Sequence, residues 1–296
     1  VLHWSKTSAL TPGGWRIGIG PTGRVAAYDF AGDLEVRDAS SGDVIAAVSG
    51  GGEASVTPGG AAFGPGEEVF VAGSFGGRIN VSPTTVSWLY SGSDPAGYLV
   101  KYSSTGEFVH SRLFVPPSGF PGSAAVEALA VGLDGSVYVV VSYSNLIDLD
   151  PGPAEVRKNF ANDGPRFVVK LNPQGNYAWS RPTASSGPLA TGPDGDIWVL
   201  GGSPMIEKLS AATGERITSA DWGGGGNSIG FGTQGQVFIG GGFSGTVDFD
   251  PGPLVQNRTT TGNEAYVLSL DGNLAFRWVR TGTTRIFGAL AGGSPN

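Results

Sequence analysis

The sequence predicts an all-β fold, a β-propeller of four-stranded antiparallel blades, from three observations. A short apolar strand, a glycine-containing turn and a second strand recur along the chain, as in IGIGPTGRVAAY and ALAVGLDGSVYVVV. The 51 glycines and 20 prolines lie mostly between such short runs, where all-β proteins place their turns. Sets of four short strands follow one another, which is typical of blades that pack only against their neighbours.

The first repeated segment is a strand pair whose turn begins at a glycine. The turn chemistry predicts two-residue hairpins in which a later glycine takes a positive φ. The glycines that begin these turns are Gly20, Gly64, Gly132, Gly192, Gly232 and Gly293.

The second repeated segment is a strand that ends in a basic residue, and the third is an outer strand. The basic position holds Arg37, Lys101, Lys170 and Lys208, with Ser269 in the fifth copy. We expect these side chains to lie on a solvated face, their stems along the surface. The outer strand carries one aromatic or histidine position, which we expect to serve packing: Trp4, His110, Trp179 and Phe276.

These segments predict one domain over residues 1–296. It contains five complete blades, at about 14–48, 60–115, 125–183, 187–222 and 227–280. The chain ends, 1–7 and 285–296, would supply an incomplete sixth blade. Three interpretations stay open: an excerpt of a longer array, a ring closed by a two-stranded blade, or neighbouring copies that complete each other by adding strands at open blade edges.

The segments YLVKYSSTGEFVHS, FVVKLNPQGNYAWS and GGFSGTVDFDPGP resemble the bacterial seven-bladed β-propeller repeat family, often abbreviated SBBP. The resemblance covers most of the second, third and fifth predicted blades. It implies a propeller and usually a secreted or surface location. It implies no fixed activity, since function is not determined by fold alone.

Composition limits the partners. The net charge is −7 with only 18 basic residues, which is poorly suited to nucleic acid, and no apolar run approaches the length of a membrane span. The absence of cysteine excludes disulfides and thiolate metal sites. A Gly/Ser/Thr-rich, Lys-poor, acidic chain favours an extracellular or cell-surface setting. The resemblance implies a bacterial source.

The most specific local motif occurs twice, as IDLDPGP and VDFDPGP. It places Asp148 and Asp150 in the third blade, and Asp248 and Asp250 at the same point of the fifth. Paired carboxylates followed by Pro-Gly are candidate Ca²⁺ ligands, although Ca²⁺ takes six to eight oxygens. The alternative is that these aspartates start turns by accepting backbone N–H groups. No other cofactor is expected.

Three tryptophans lie outside the repeated positions, Trp15, Trp88 and Trp222, and are candidates for stacking on a glycan. No catalytic residues are predicted. The two histidines, His3 and His110, are too few for a three-histidine metal site, and His110 occupies the packing position.

Long insertions are predicted at 75–97, 144–165 and 243–264, on the same end of the blades as the Pro/Gly-rich connection 115–123. Loops on a rigid scaffold commonly carry recognition. The sequence therefore favours a non-enzymatic, extracellular binding or assembly module, a surface or fibre component with a protein partner or self-association. The alternatives are a lectin-like, carbohydrate-binding propeller and a hydrolase or lyase with its site over the central channel.

Overall fold

The computed structural model describes residues 15–50, 55–82, 84–85 and 87–282. It is an all-β fold of five four-stranded antiparallel blades of a β-propeller, with a single four-residue helix in the described part of the chain, so the predicted fold class is confirmed. The predicted partial sixth blade, at 1–7 and 285–296, lies outside the described residues. The chain divides into two compact units, Val1–Pro182 and Thr183–Asn296. That the whole chain is one domain stays a prediction.

Unit 1 contains three blades, and two of them carry an inserted hairpin between their second and third strands. Blade 1 consists of β1 (Arg16–Ile19), β2 (Arg24–Tyr28), β3 (Leu34–Asp38) and β4 (Val44–Val48). Blade 2 consists of β5 (Ser55–Phe63), β6 (Val69–Gly76), the hairpin β7 (Arg78–Asn80) and β8 (Trp88–Tyr90), then β9 (Ala96–Tyr102) and β10 (Phe108–Phe114). Blade 3 consists of β11 (Ala124–Val131), β12 (Val137–Tyr143), the hairpin β13 (Leu146–Asp148) and β14 (Arg157–Asn159), the helix α1 (Phe160–Asp163), then β15 (Arg166–Leu171) and β16 (Tyr177–Pro182).

Unit 2 contains two blades. Blade 4 has short connections and consists of β17 (Leu189–Thr191), β18 (Ile197–Leu200), β19 (Ile206–Leu209) and β20 (Arg216–Ala220). Blade 5 consists of β21 (Gly225–Phe231), β22 (Val237–Asp248), β23 (Asn257–Leu270) and β24 (Phe276–Gly282). Its insertion is an outward continuation of the second and third strands, which stay paired as far as Asp248 and Asn257.

The turn between the first two strands of each blade begins at the predicted glycine, but its loop has three residues. In blade 1 the N–H of Gly20 donates to the carbonyl of Arg24 at 2.8 Å, and that of Gly23 donates to Gly20 at 3.0 Å. Gly23 has a φ of 84°, as expected where a left-handed residue follows a tight turn. The two-residue prediction was wrong. In blade 2 the left-handed position is held by Glu67, with a φ of 63°.

The predicted basic position holds for three blades and fails in blade 1. Lys101, Lys170 and Lys208 each pair across the sheet with an aromatic residue, whereas Arg37 pairs with Val25. The reason is its offset from the residue that begins the following turn. Lys101 and Lys208 lie two residues before Ser103 and Ser210, whereas Arg37 lies only one residue before Asp38. This shift turns Arg37 to the other face of its sheet.

The three lysines are not on a freely solvated face, which corrects that expectation. Each ammonium lies over the aromatic ring of the paired second-strand residue and beside a carboxylate from the preceding turn. The distances to the ring centroid and to the nearest carboxylate oxygen are 5.2 and 3.1 Å for Lys101 over Phe70 with Glu68, 5.4 and 4.0 Å for Lys170 over Tyr138 with Asp134, and 5.6 and 2.5 Å for Lys208 over Trp198 with Asp194.

The outer-strand position was misaligned in blade 5. His110 and Trp179 pair with Lys101 and Lys170, and the residue of blade 5 at that register is Trp278, which pairs with Ser269. Phe276 instead lies two residues earlier, opposite Leu270. The cause is that Leu274, with a φ of 67°, takes the left-handed turn position that glycine takes in blades 2 and 3.

The core lies between facing blades, and alternate residues of one strand serve different neighbours. In blade 2, Val69 and Val71 are buried with residues of blade 1, whereas Phe70 and Ala72 are buried with residues of blade 3. Unit 2 has its own core between blades 4 and 5, which includes Trp198. Burial of a Val, Leu, Ile or Phe side chain contributes roughly 1.5–3 kcal/mol to the free energy of folding. Packing between blades therefore provides the rigid support for the loops described next.

Candidate binding site

A cleft of about 560 Å³ lies in unit 1, between the insertion of blade 2 and that of blade 3. Leu89 of β8, the connection at 115–118 and the segment 148–157 line it. The backbone joins two of these segments, since the N–H of Asp148 donates to the carbonyl of Val115 at 3.3 Å. The structure thus brings together three of the segments that the sequence placed on one end of the blades. The fourth, 243–264, belongs to unit 2.

One wall of the cleft is apolar. Leu89, Leu113 and Val115 line it together with Pro116 and Pro117, and all five side chains are partly exposed. Proline at two successive positions gives a wall with little conformational freedom to lose when a ligand binds. The wall therefore suits an apolar group that inserts between the insertions.

The charged groups of the cleft are engaged within the protein. The guanidinium of Arg112 donates from Nε to the carbonyl of Gly175 and from Nη2 to that of Gln174, both at 2.7 Å, which ties the outer strand of blade 2 to a turn of blade 3. Arg157 forms an exposed ion pair with Glu155 at 2.8 Å. Both arginines thus have partners within the protein, and neither offers an unpaired charge to an anionic ligand.

The candidate Ca²⁺ ligands hold backbone turns. Oδ1 of Asp148 accepts from the N–H groups of Asp150 at 3.0 Å and Val156 at 2.8 Å, and Oδ1 of Asp150 accepts from Gly152 at 2.7 Å. These are the hydrogen bonds expected if the aspartates start turns by accepting from backbone N–H groups. Both aspartates line the cleft, and the described residues contain no group of three or more His, Cys, Asp or Glu that could hold a metal.

Blade 5 repeats this turn in unit 2. Oδ1 of Asp248 accepts from Asp250 at 3.1 Å and Gln256 at 2.7 Å, and Oδ1 of Asp250 accepts from Gly252 at 2.7 Å. The two turns differ at their tips. Blade 3 has Ala154 and Glu155 there, and blade 5 has Leu254 and Val255, which are 67% and 66% exposed.

The three candidate glycan-stacking tryptophans have different surroundings. Trp222 is 7% exposed within the core of unit 2, and its Nε1 donates to the hydroxyl of Tyr266 at 2.9 Å, so its ring faces are occupied by protein. Trp15, which precedes β1, is 39% exposed. Trp88 begins β8, and the guanidinium carbon of Arg78 lies 4.8 Å from the centroid of its ring.

Sequence reasoning missed two partners of Trp88. Arg78 and Tyr90 are opposite each other in the β7–β8 pair, on the same face of the hairpin as Trp88. Tyr90 is 61% exposed. The position of Tyr90 could have been predicted from the sequence, because residues two apart on a strand share a face and Tyr90 follows Trp88 by two.

His110 occupies the packing position that Trp179 holds in blade 3. Burial lowers the pKa of its imidazole to about 4, and the charges of Arg112 and Lys101 add to the effect. Both ring nitrogens are buried without a hydrogen-bond partner in the described part of the chain. An imidazole in this state is neutral at physiological pH.

A second cleft, of about 330 Å³, lies in unit 2. The backbone of β21 and β22 lines it at Gly225, Gly241 and Gly242, with Asn227 and Asn263 as polar side chains. Glycine is required here, because a Cβ on Gly241 would overlap the carbonyl oxygen of Gly225. No sequence pattern had indicated this cleft.

No helix in the described ranges is long and apolar enough to cross a membrane. No protein-family model matches the sequence, and no curated protein matches it.

Solved structures resemble this one at low sequence identity. A protein of unknown function from Bacteroides caccae is 11% identical with a TM-score of 0.52, over 91% of this chain and 82% of that one. A quinohemoprotein alcohol dehydrogenase from Comamonas testosteroni is 13% identical with a TM-score of 0.50, over 88% of this chain and 52% of that one. This chain therefore spans about half the length of the dehydrogenase. Likeness at these identities shows the fold and nothing of the activity.

Proposed function

We propose that this chain is a non-enzymatic, extracellular binding and assembly module of a bacterial surface, a member of the seven-bladed β-propeller repeat family that its repeats resemble. Assembly joins copies of the chain. The cleft of unit 1 in one copy receives the Leu254–Val255 tip of blade 5 in another. The partner is thus a second copy, and the contact is head-to-tail, a type that forms open filaments when its rotation does not close.

The contrast between the two matched turns carries this proposal. Blades 3 and 5 build the same turn with the same three hydrogen bonds from backbone N–H groups to aspartate carboxylates, so nothing in the turn itself requires apolar residues at the tip. Yet Leu254 and Val255 replace Ala154 and Glu155, and two-thirds of their surface stays in contact with water. An uncharged apolar tip on a rigid turn is suited to insert beside the wall of Leu89, Leu113 and the two prolines.

The strength of this contact is limited. Burying Leu254 and Val255 supplies roughly 1.5–3 kcal/mol each, against a cost of association of about 4–15 kcal/mol. Two side chains alone do not offset that cost, so we expect weak, concentration-dependent association that further contacts along a filament reinforce. Assembly by addition of strands at open blade edges is a separate proposal, and the chain ends that it concerns lie outside the described residues.

Sedimentation velocity over a wide range of protein concentration tests the proposal. The double variant Leu254→Ala/Val255→Glu gives blade 5 the tip sequence of blade 3, which leaves the turn bonds in place, and Ser118→Trp fills the cleft. We expect wild type to associate with rising concentration and both variants to remain monomeric. Ala212→Trp, at an exposed turn of blade 4, is the control that retains association. A monomeric wild type, or variants that associate like wild type, would overturn the proposal.

A second function, the binding of carbohydrate, is favoured by the exposed aromatic face around Trp88. We propose it as a property of the β7–β8 hairpin that is separate from assembly. A glycan array with wild type and Trp88→Ala tests it, and loss of glycan binding in the variant is the expected result. If Trp88→Ala binds glycans as wild type does, Trp88 is not part of the site.

A further inference from the structure

The β7–β8 hairpin has one buried face and one outward face. Ile79 is 3% exposed within the core shared by blades 1 and 2, and Leu89, which pairs with it, packs against the same core. Because strand residues alternate between faces, Arg78, Trp88 and Tyr90 lie together on the other face. That face therefore presents two aromatic rings and one guanidinium away from the core.

Backbone and side-chain bonds hold this small hairpin in place at both ends. At one end the N–H of Ser91 donates to the carbonyl of Gly77 at 3.0 Å. At the other, Oδ1 of Asn80 accepts from the N–H of Ser87 at 3.0 Å, and the N–H of Asn80 donates to the carbonyl of Gly50 in unit 1 at 3.0 Å. A ligand that binds the outward face does not have to order the hairpin first, which lowers the entropic cost of binding.

Arg78 is the chemically distinctive group of the outward face. Its guanidinium carbon lies 4.8 Å from the centroid of the Trp88 ring, and no carboxylate of the described residues forms an ion pair with it. The other exposed arginine on an insertion hairpin, Arg157, is paired with Glu155. A stacked guanidinium keeps its N–H edge available, and that edge fits a carboxylate or another oxyanion with two parallel hydrogen bonds.

From this combination we infer that Arg78, Trp88 and Tyr90 form a binding site for an acidic sugar, a pyranose ring that carries a carboxylate or a sulfate ester. The ring packs its C–H face on the exposed ring of Tyr90, and the acidic group accepts hydrogen bonds from Arg78. Trp88 orients the guanidinium. The inference gives the ligand class of the carbohydrate function proposed above and rests on it, but it does not depend on the cleft.

Recognition at this site is short-range. The net charge of the chain is −7, so the whole protein does not attract a polyanion. Selectivity for an acidic sugar over its neutral counterpart must come from Arg78. The removal of one charge-assisted pair of hydrogen bonds should cost about tenfold or more in affinity.

Titration calorimetry of the whole chain with three oligosaccharides of equal length tests the inference. The probes are an oligogalacturonate, a sulfated galacto-oligosaccharide and a neutral galacto-oligosaccharide. We expect wild type to bind at least one acidic probe about tenfold or more tightly than the neutral probe, and the better of the two identifies the acidic group. Arg78→Gln should abolish this preference. Tyr90→Ala should lower the affinity for every probe by roughly two- to tenfold. Arg157→Gln, on the matched hairpin of blade 3, and Ser118→Trp should bind as wild type does.

Three results would overturn the inference. Equal affinity for neutral and acidic probes, with loss in Tyr90→Ala, would leave the carbohydrate function and remove the acidic preference. No binding of any probe would remove both. A polyglutamate peptide that binds as tightly as oligogalacturonate would show that charge suffices without a sugar ring.

Discussion

The Nε1 of Trp222 donates a hydrogen bond to the hydroxyl of Tyr266 at 2.9 Å, inside the core of unit 2. Desolvation by burial raises the pKa of that phenol, and the bond from Trp222 acts in the opposite direction. The two residues are 44 positions apart in sequence, so this bond joins the end of blade 4 to the third strand of blade 5.

Replacement of Trp222 by phenylalanine should destabilise the protein by roughly 1–3 kcal/mol, because the hydroxyl of Tyr266 would be buried without its partner. Denaturant unfolding of Trp222→Phe, Tyr266→Phe and the double variant measures this. The double variant should lose less than the sum of the two single losses. Additive losses, or glycan binding that disappears only in Trp222→Phe, would assign Trp222 a different role.

The stack of Lys208 between Trp198 and two aspartates gives a second prediction. Burial alone would lower the pKa of Lys208, but the hydrogen bond and charge of Asp194, then those of Asp196, outweigh it and raise the pKa. Lys208→Met should therefore cost about 1 kcal/mol at neutral pH, the scale of a partly exposed ion pair with a cation–π contact.

The pH dependence of that cost has a defined sign. Because the folded pKa of Lys208 is raised, its contribution is complete below the unfolded value of 10.5 and is lost as pH rises through the folded pKa. Thermal unfolding of wild type and Lys208→Met at neutral and alkaline pH checks this. The melting temperatures of the two proteins should converge at alkaline pH. A difference that stays constant with pH would contradict a stabilising role for the charge of Lys208.

His110 gives a prediction in acid. The unfolded imidazole takes up a proton near pH 6.5 and the folded one at about 4, so the unfolded state holds more protons between these values. Wild type should lose stability as the pH falls through this window. His110→Phe places an aromatic ring at the position that Trp179 holds in blade 3. This variant should lack the loss of stability that protonation of His110 causes. Melting temperatures measured from pH 7 to 4 test it, and parallel curves for the two proteins would contradict it.

The aspartates of the two matched turns give a prediction that separates a structural role from Ca²⁺ binding. Asp148→Ala removes an acceptor of two backbone N–H groups and should cost roughly 1–3 kcal/mol, whereas Asp148→Asn keeps Oδ1 and should cost less. Unfolding of both variants with Ca²⁺ or with a chelator measures this. If Ca²⁺ raises the melting temperature of wild type but not of Asp148→Asn, the carboxylates are metal ligands.

Much of the fold could be predicted because it is encoded locally. In blades 2, 3 and 4 the glycine that begins the first turn and the buried aromatic residue of the second strand repeat at a fixed offset from each other, as Gly132 and Tyr138 do in blade 3. Errors arose where a turn departed from the pattern of the other blades. Arg37 was misaligned because it lies one residue, not two, before the residue that begins the following turn, and Phe276 was misaligned because Leu274, not a glycine, holds a left-handed position in blade 5.

The candidate sites could be predicted less well, because they depend on tertiary placement. The burial of Trp222 requires Tyr266 from another blade, and the cleft requires that Leu89, Pro116 and Asp150 converge from three segments. The partners of Trp88 were within reach of sequence reasoning, since strand alternation alone places Tyr90 beside it.

Disulfide trapping between copies tests the central claim, assembly through the cleft, most directly. The chain has no cysteine, so introduced thiols report without background. A disulfide forms only where two Cα atoms approach within about 7 Å. If the tip of one copy enters the cleft of another, a mixture of Ser118→Cys and Val255→Cys proteins should give a cross-linked pair that contains one of each, and neither protein alone should cross-link. Absence of the mixed pair, or equal cross-linking within each single variant, would contradict the account.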